Sequence, residues 1–336
     1  MNGTNCAISL DLARPAIAPR GAVRSAALHR NALIAVFAAT ALLGLLELPG
    51  FLCGRTAIRA LPAPQHLAGP LALLVLHAAY VLGWRRGLTL IAIAGAMGMA
   101  AEWIGTKSGA IFGGLYVYHG AAWKLAGVPL VVPLFWAVFI YTGYSLTSAG
   151  LHWLGVEKPA RRRPAQPRSA AATPARRRRG GPAWLIVPLV LCDAAAVVAI
   201  DGLLDPILVR LGLWSWLDGG AHYGVPWGNY AGWFGVSAMA AGAFRTLEYL
   251  RPRPRRNVDA WAHAMPAVGY ALLLGAMLTW ALQLDMPALA GQQAPVMGLP
   301  AAAHLALLAT WKLRRTTLRF PRQLPANAGS LHSDVG

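Results

Sequence analysis

Long apolar stretches alternate with short polar connectors along most of the chain. Eight such stretches fall at about 31–53, 67–83, 87–105, 128–153, 183–204, 226–244, 262–284 and 296–312. A helix needs roughly 20 apolar residues to cross a bilayer, and several stretches reach that length. The second and eighth are the weakest, being short and rich in Gly, Ala and Pro. The pattern predicts an all-α, polytopic membrane helix bundle with about eight transmembrane helices.

The polar positions orient these spans. Arg14, Arg20, Arg24 and Arg30 precede the first span, and Arg85 and Arg86 follow the second. Arg161 to Arg163 and Arg176 to Arg179 follow the fourth. Arg251, Arg253, Arg255 and Arg256 follow the sixth, and Lys312, Arg314 and Arg315 close the eighth. Eight spans put all of these on one side, which the positive-inside rule makes cytoplasmic, with both termini there. Arg55 and Arg59 are the main exceptions. The expected organisation is a tail at 1–30, a first membrane half at 31–155, a linker at 156–182, a second half at 183–313 and a tail at 314–336. The linker is rich in Arg, Pro and Ala and cannot bury a core.

Composition agrees. Of 336 residues, 57% are hydrophobic and only 12% charged. A soluble domain carries about twice that charge. The net charge of +18 sits in connectors, so it reads as a topology signal with attraction to anionic lipid, and no nucleic-acid partner is expected. Cys6, Cys53 and Cys192 lack paired spacing and imply neither a disulfide framework nor a zinc site. The first apolar run is too long for a signal peptide and reads as a retained helix.

One pattern occurs twice. Gly114-Leu-Tyr116-Val-Tyr118 is followed by Gly127-Val-Pro129 and Trp136. Gly212-Leu-Trp214-Ser-Trp216 is followed by Gly224-Val-Pro226 and Trp233. The Pro-to-Trp spacing is the same in both. Glu102 precedes the first copy, and Asp201 and Asp205 precede the second. Both copies fall in connectors on the non-cytoplasmic side, so the repeat predicts one shared intramembrane site built from two related halves.

Ionisable residues inside a membrane are costly and need a reason. Asp201 and Asp205 are four apart and share a helix face. Glu102, Asp201 and Asp205 are the candidate catalytic groups: a carboxyl away from water is suited to donate a proton, and an ionised neighbour to orient water. Asp193 and Glu47 read instead as caps or interhelical hydrogen bonds. Tyr116, Tyr118, Trp214, Trp216, Tyr223, Trp227 and Trp233 are candidate substrate contacts, since aromatic faces stabilise cations. Singly, each fits an interfacial belt equally well. Lys107 and Asn229 are the remaining polar candidates. His119 and His222, in the two motif loops, read as hydrogen-bonded structure. No di-iron histidine box, nucleotide fingerprint or phosphate loop is present, so no metal or cofactor is expected.

These residues resemble the membrane carotenoid-biosynthesis proteins, which include the carotenoid 1,2-hydratases and the bisanhydrobacterioruberin hydratases. Glu102-Trp-Ile-Gly105-Thr-Lys-Ser-Gly109, with Phe112-Gly113 and Tyr116-Val-Tyr118, looks like the first signature of that family. Asp205-Pro206, Trp214-Ser-Trp216 and Tyr223-Gly-Val-Pro-Trp227-Gly-Asn229-Tyr-Ala-Gly-Trp233 is similar to the second. The resemblance covers about 85–245. It implies a bacterial inner-membrane protein that hydrates the terminal C1–C2 double bond of an acyclic carotenoid end without a cofactor. Its partners would be a polyene substrate, membrane lipid and other enzymes of the pathway.

Two other readings remain open at this point. Asp201-x-x-x-Asp205 resembles half of an intramembrane prenyltransferase's magnesium site, for which a second Asp-rich motif is missing. A non-catalytic carotenoid or lipid carrier would make the acids structural.

Overall fold

The computed structural model describes residues 20–52, 64–120, 123–154, 182–252 and 258–317. Eight helices account for most of them: α1 (Arg20–Leu52), α2 (Pro64–Val81), α3 (Trp84–Ser108), α4 (Val131–Leu154), α5 (Ile186–Arg210), α6 (Trp227–Leu250), α7 (Ala260–Gln283) and α8 (Pro287–Thr317). Four short strands join them: β1 (Tyr116–Tyr118), β2 (Lys124–Leu125), β3 (Val128–Pro129) and β4 (Trp214–Trp216). The chain is an all-α membrane bundle. Six of the described helices are long and apolar enough to cross a bilayer. The apolar part of α2, Ala68–Val81, is shorter. The polar positions of α6, among them Asn229, Arg245 and Glu248, dilute its hydropathy.

Two helix starts differ from expectation. The first helix begins at Arg20 rather than near 31. The eighth begins at Pro287 rather than near 296, and runs through Pro295 and Pro300. Proline suits a first helical position, and bundled membrane helices tolerate internal prolines. The tail before residue 20, Arg55, Arg59, the Arg-rich linker and the tail beyond 317 lie outside the described residues, as do Cys6, Cys53 and the Glu47 side chain.

At the centre, α3 packs on α4, α4 on α5, α5 on α6 and α6 on α3, closing a four-helix ring. α8 covers the groove between α4 and α5, and α7 packs beside it. Small residues allow the close approaches. A Cβ on Gly98 of α3 would fall 2.2 Å from Trp136 Cγ of α4, so only glycine admits that indole. α3 stops where Gly109 turns left-handed at φ 67°, returning its N–H to the carbonyl of Gly105. That stop sends the chain back over the end of the ring toward β1.

The two copies of the repeated pattern meet there. β1 pairs antiparallel with β4, placing Tyr116 opposite Trp216, Val117 opposite Ser215 and Tyr118 opposite Trp214. The flanking bonds match as well: His119 N–H donates to Leu213 O at 2.8 Å, and Leu217 N–H to Leu115 O at 2.9 Å. Each contact is exchanged for its counterpart, the arrangement of a local two-fold axis. The second conserved spacing obeys the same axis. Trp136 and Trp233 stack at 4.1 Å between ring centroids. The repeat therefore relates the hairpin α3–α4 to the hairpin α5–α6.

Candidate active site

The four-helix ring and its β1–β4 cover enclose a small cavity. Its wall includes Glu102 from α3, Trp136 and Phe135 from α4, Asp205 from α5, Asn229 and Trp233 from α6, and Tyr116, Tyr118, Trp214 and Trp216 from the strands. Phe112, Val132 and Leu204 complete it. The enclosed space measures about 20 Å³. A single water needs roughly 10–15 Å³ by the same measure, so the cavity holds about one water and no more.

Glu102 is 4% exposed and receives three hydrogen bonds, all from neutral donors. Tyr116 Oη and Tyr118 Oη donate to Oε2 at 2.5 and 2.7 Å. Trp136 Nε1 donates to Oε1 at 2.9 Å. The strand makes this possible. Side chains two apart in a strand point the same way, so β1 aims both phenols at one carboxyl. Burial, followed by the nearby Glu102, pushes both phenols well above their ordinary range. They remain donors throughout the working pH range.

Across the cavity the arrangement differs. Asp201 and Asp205 are both buried on α5. Their Oδ2 atoms converge on one donor: Asn229 Nδ2 gives to Asp201 at 2.9 Å and to Asp205 at 2.5 Å. Two carboxyls on one amide are a pair suited to holding a single proton between them. Asp205 lines the cavity and Asp201 stands behind it. Asp201 is fully buried and does not reach the cavity.

The aromatic wall is continuous. Tyr116 lies 5.4 Å from Trp216, and Tyr118 lies 5.5 Å from Trp214. Trp216 Nε1 donates to the Phe112 carbonyl at 3.0 Å, which fixes the indole in the cavity wall. Glu102, Asp205, Tyr116, Tyr118, Trp214, Trp216, Asn229 and Trp233 thus gather at one place. Three expected contacts do not join them. Lys107 is exposed on the last turn of α3. Trp227 is 65% exposed, and Tyr223 is 37% exposed in a left-handed turn at φ 52°. A helix turn carries Lys107 past the cavity, and the loop before α6 carries the other two outside the wall. Trp136, Phe112, Phe135, Val132 and Leu204 were not expected as site residues. The repeated Pro-to-Trp spacing signalled Trp136, but without naming what its indole would hold.

Of the remaining acids, Asp193 has a structural setting. Arg245 of α6 grips it with Nε at 2.6 Å and Nη2 at 2.7 Å, and Thr147 donates to the same carboxylate. His119 meets Ser215 Oγ at 2.9 Å on the outside of the strand pair. His222 is held toward its neutral form by burial. Among the described residues, no three His, Cys, Asp or Glu side chains group as metal ligands.

A family model described as carotenoid biosynthesis protein matches residues 66–298. No curated protein matches the chain, and no solved structure does.

Proposed function

The chain belongs to the carotenoid biosynthesis protein family, and from that premise we propose that it adds water across the terminal C1–C2 double bond of an acyclic carotenoid end. The observation that carries this reading is the pairing of Glu102 with Asp205 across a space for one water, inside an aromatic wall. Asp205, drawing on the proton held with Asp201, protonates C2. A C2–H bond forms and a tertiary cation appears at C1. The rings of Tyr116, Trp214, Trp216 and Trp233 face that charge. The enclosed water forms the C1–O bond and gives its proton to Glu102, which its three donors hold in place. The product is a tertiary alcohol, and no oxidant or nucleotide enters the balance.

Exclusion of bulk water suits this chemistry, because it keeps solvent from competing for the proton and leaves the cation to be captured by the one admitted water. The end group is larger than the present cavity. Phe135 is a half-buried residue of the cavity wall. The polyene then lies along the bilayer, whose thickness is close to its length. The motif end is assigned to the non-cytoplasmic side of a bacterial inner membrane, with both termini cytoplasmic.

The prenyltransferase reading would need a second Asp-rich motif, for which Asp193, paired with Arg245, is a poor substitute. The carrier reading and the hydratase reading separate in one experiment. The protein is expressed in cells making lycopene, and the pigments are weighed by mass spectrometry. Pigment heavier by one water per modified end supports hydration; bound pigment of unchanged mass supports a carrier.

A further inference from the structure

The hydration reading leaves one polar cluster unused. Asp201 is fully buried, and its Oδ1 has no hydrogen-bond partner. Tyr230 Oη is also buried and without a partner. Tyr230 follows Asn229, whose amide holds Asp201, and the acids that act on it are Asp201 and then Asp205. Its ring meets the His222 ring edge-on, with centroids 5.6 Å apart. His222 is half-buried in the loop before α6. Its backbone is fixed by a reciprocal pair of bonds with Val225, at 3.0 and 2.9 Å. Its ring reaches the backbone of Gly202, the residue after Asp201. Neither His222, Tyr230 nor Asp201 lines the cavity.

Buried polar atoms in folded proteins are paired, and where side chains fail to pair them an ordered water does. Two orphan oxygens in one neighbourhood, with a half-exposed imidazole beside them, form a short polar line from the loop surface to the acid pair. We propose that His222, Tyr230 and a bridging water form a proton relay from the aqueous phase at the motif end to Asp201, separate from the cavity. Its purpose rests on the hydration reading. Each turnover leaves Asp205 without a proton and Glu102 with one. The relay refills the acid pair from behind, while the cavity stays closed to bulk water. Every hop moves one proton; because hydration is proton-neutral overall, Glu102 releases one proton to water through the Tyr118 hydroxyl bonded to it for each proton that the relay delivers, and each group returns to its starting form.

The test reads the proton directly. Purified protein in lipid nanodiscs is transferred to D2O, and the carboxylic-acid C=O band is followed by infrared spectroscopy. Loss of the band in Asp201→Asn assigns it to the acid pair. Tyr230→Phe removes one oxygen and should slow hydrogen–deuterium exchange of that band by about tenfold or more. His222→Gln should slow it in the same direction. Exchange at the wild-type rate in both variants overturns the relay, as does the absence of a band sensitive to Asp201. Hydration kinetics add a second reading. Tyr230→Phe should keep its first turnover and lose steady-state rate, with KM for the polyene unchanged. Equal slowing of the first and later turnovers points to a structural defect and overturns the relay. If the wild-type chain exchanges as expected but hydrates no carotenoid, the function reading fails and the proton path stands.

Discussion

The same four helices carry a buried acidic cluster at each end, and the two ends are built on opposite principles. Away from the motif loops, carboxylates are matched with guanidinium groups. Asp193 pairs with Arg245 at 2.6 Å, and Glu248, nearer the surface, with Arg86 at 3.2 Å. Arg245 also lies 4.6 Å from the Tyr144 ring centre, and Tyr144 Oη donates to Glu248 at 2.7 Å. At the motif end, among the described residues, Glu102, Asp201 and Asp205 gather with no cation as partner, only two phenols, the indoles of Trp136 and Trp214 and one amide. A carboxylate neutralised by Arg has no proton to give. Carboxyls held by neutral donors keep proton exchange open. Burial alone does not separate the two sets of acids; the charge of the partner does.

The largest effect should come from the structural end. Arg245→Ala leaves Asp193 as an uncompensated buried charge and should cost about 3–5 kcal/mol of stability. Replacing the pair together, Asp193→Leu with Arg245→Met, should be close to neutral. Thermal unfolding in detergent compares the two. A mild effect of Arg245→Ala would blur the contrast between the ends.

The motif end, on the proposed function, should show the reverse, with folding retained and rate lost. Asp205→Asn and Glu102→Gln should each lower hydroxylated carotenoid per folded protein by about a hundredfold or more. Full activity in both, and in Asp201→Asn, would leave the acid-catalysed reading without a catalyst.

Smaller effects belong to the walls. Trp216→Leu should raise the barrier by about 1–2 kcal/mol through loss of an aromatic face, without impairing membrane insertion. Trp136→Phe removes one donor to Glu102 and alters the stack with Trp233, an aromatic pair worth about 0.5–1.5 kcal/mol. It should therefore lower both stability and rate modestly. Lys107→Ala, outside the wall, should leave activity within about twofold. A large loss there would put the substrate on the surface of α3.

Much of the architecture was legible along the chain. Helix existence follows from apolar length, which is a local property. The shared site was legible because two copies of one pattern had to land on one face. Glu102, Asp205, Tyr116, Tyr118 and Trp216 stood out because each was costly or repeated. Helix starts at Arg20 and Pro287 were less legible, since apolar content says little about how far a helix extends past the bilayer.

What the sequence determined by itself is what periodicity and composition control: a membrane bundle, the two related motifs and the set of intramembrane acids. Tertiary structure decided which acid faces which partner. Nothing local to Asp193 distinguishes it from Asp205, more than three turns of α5 away. One meets a guanidinium from Arg245 and the other an amide from Asn229, sixteen residues apart along α6. That difference arises only when two antiparallel helices dock in one register, because a buried charge takes its character from groups that are near in space and distant in the chain.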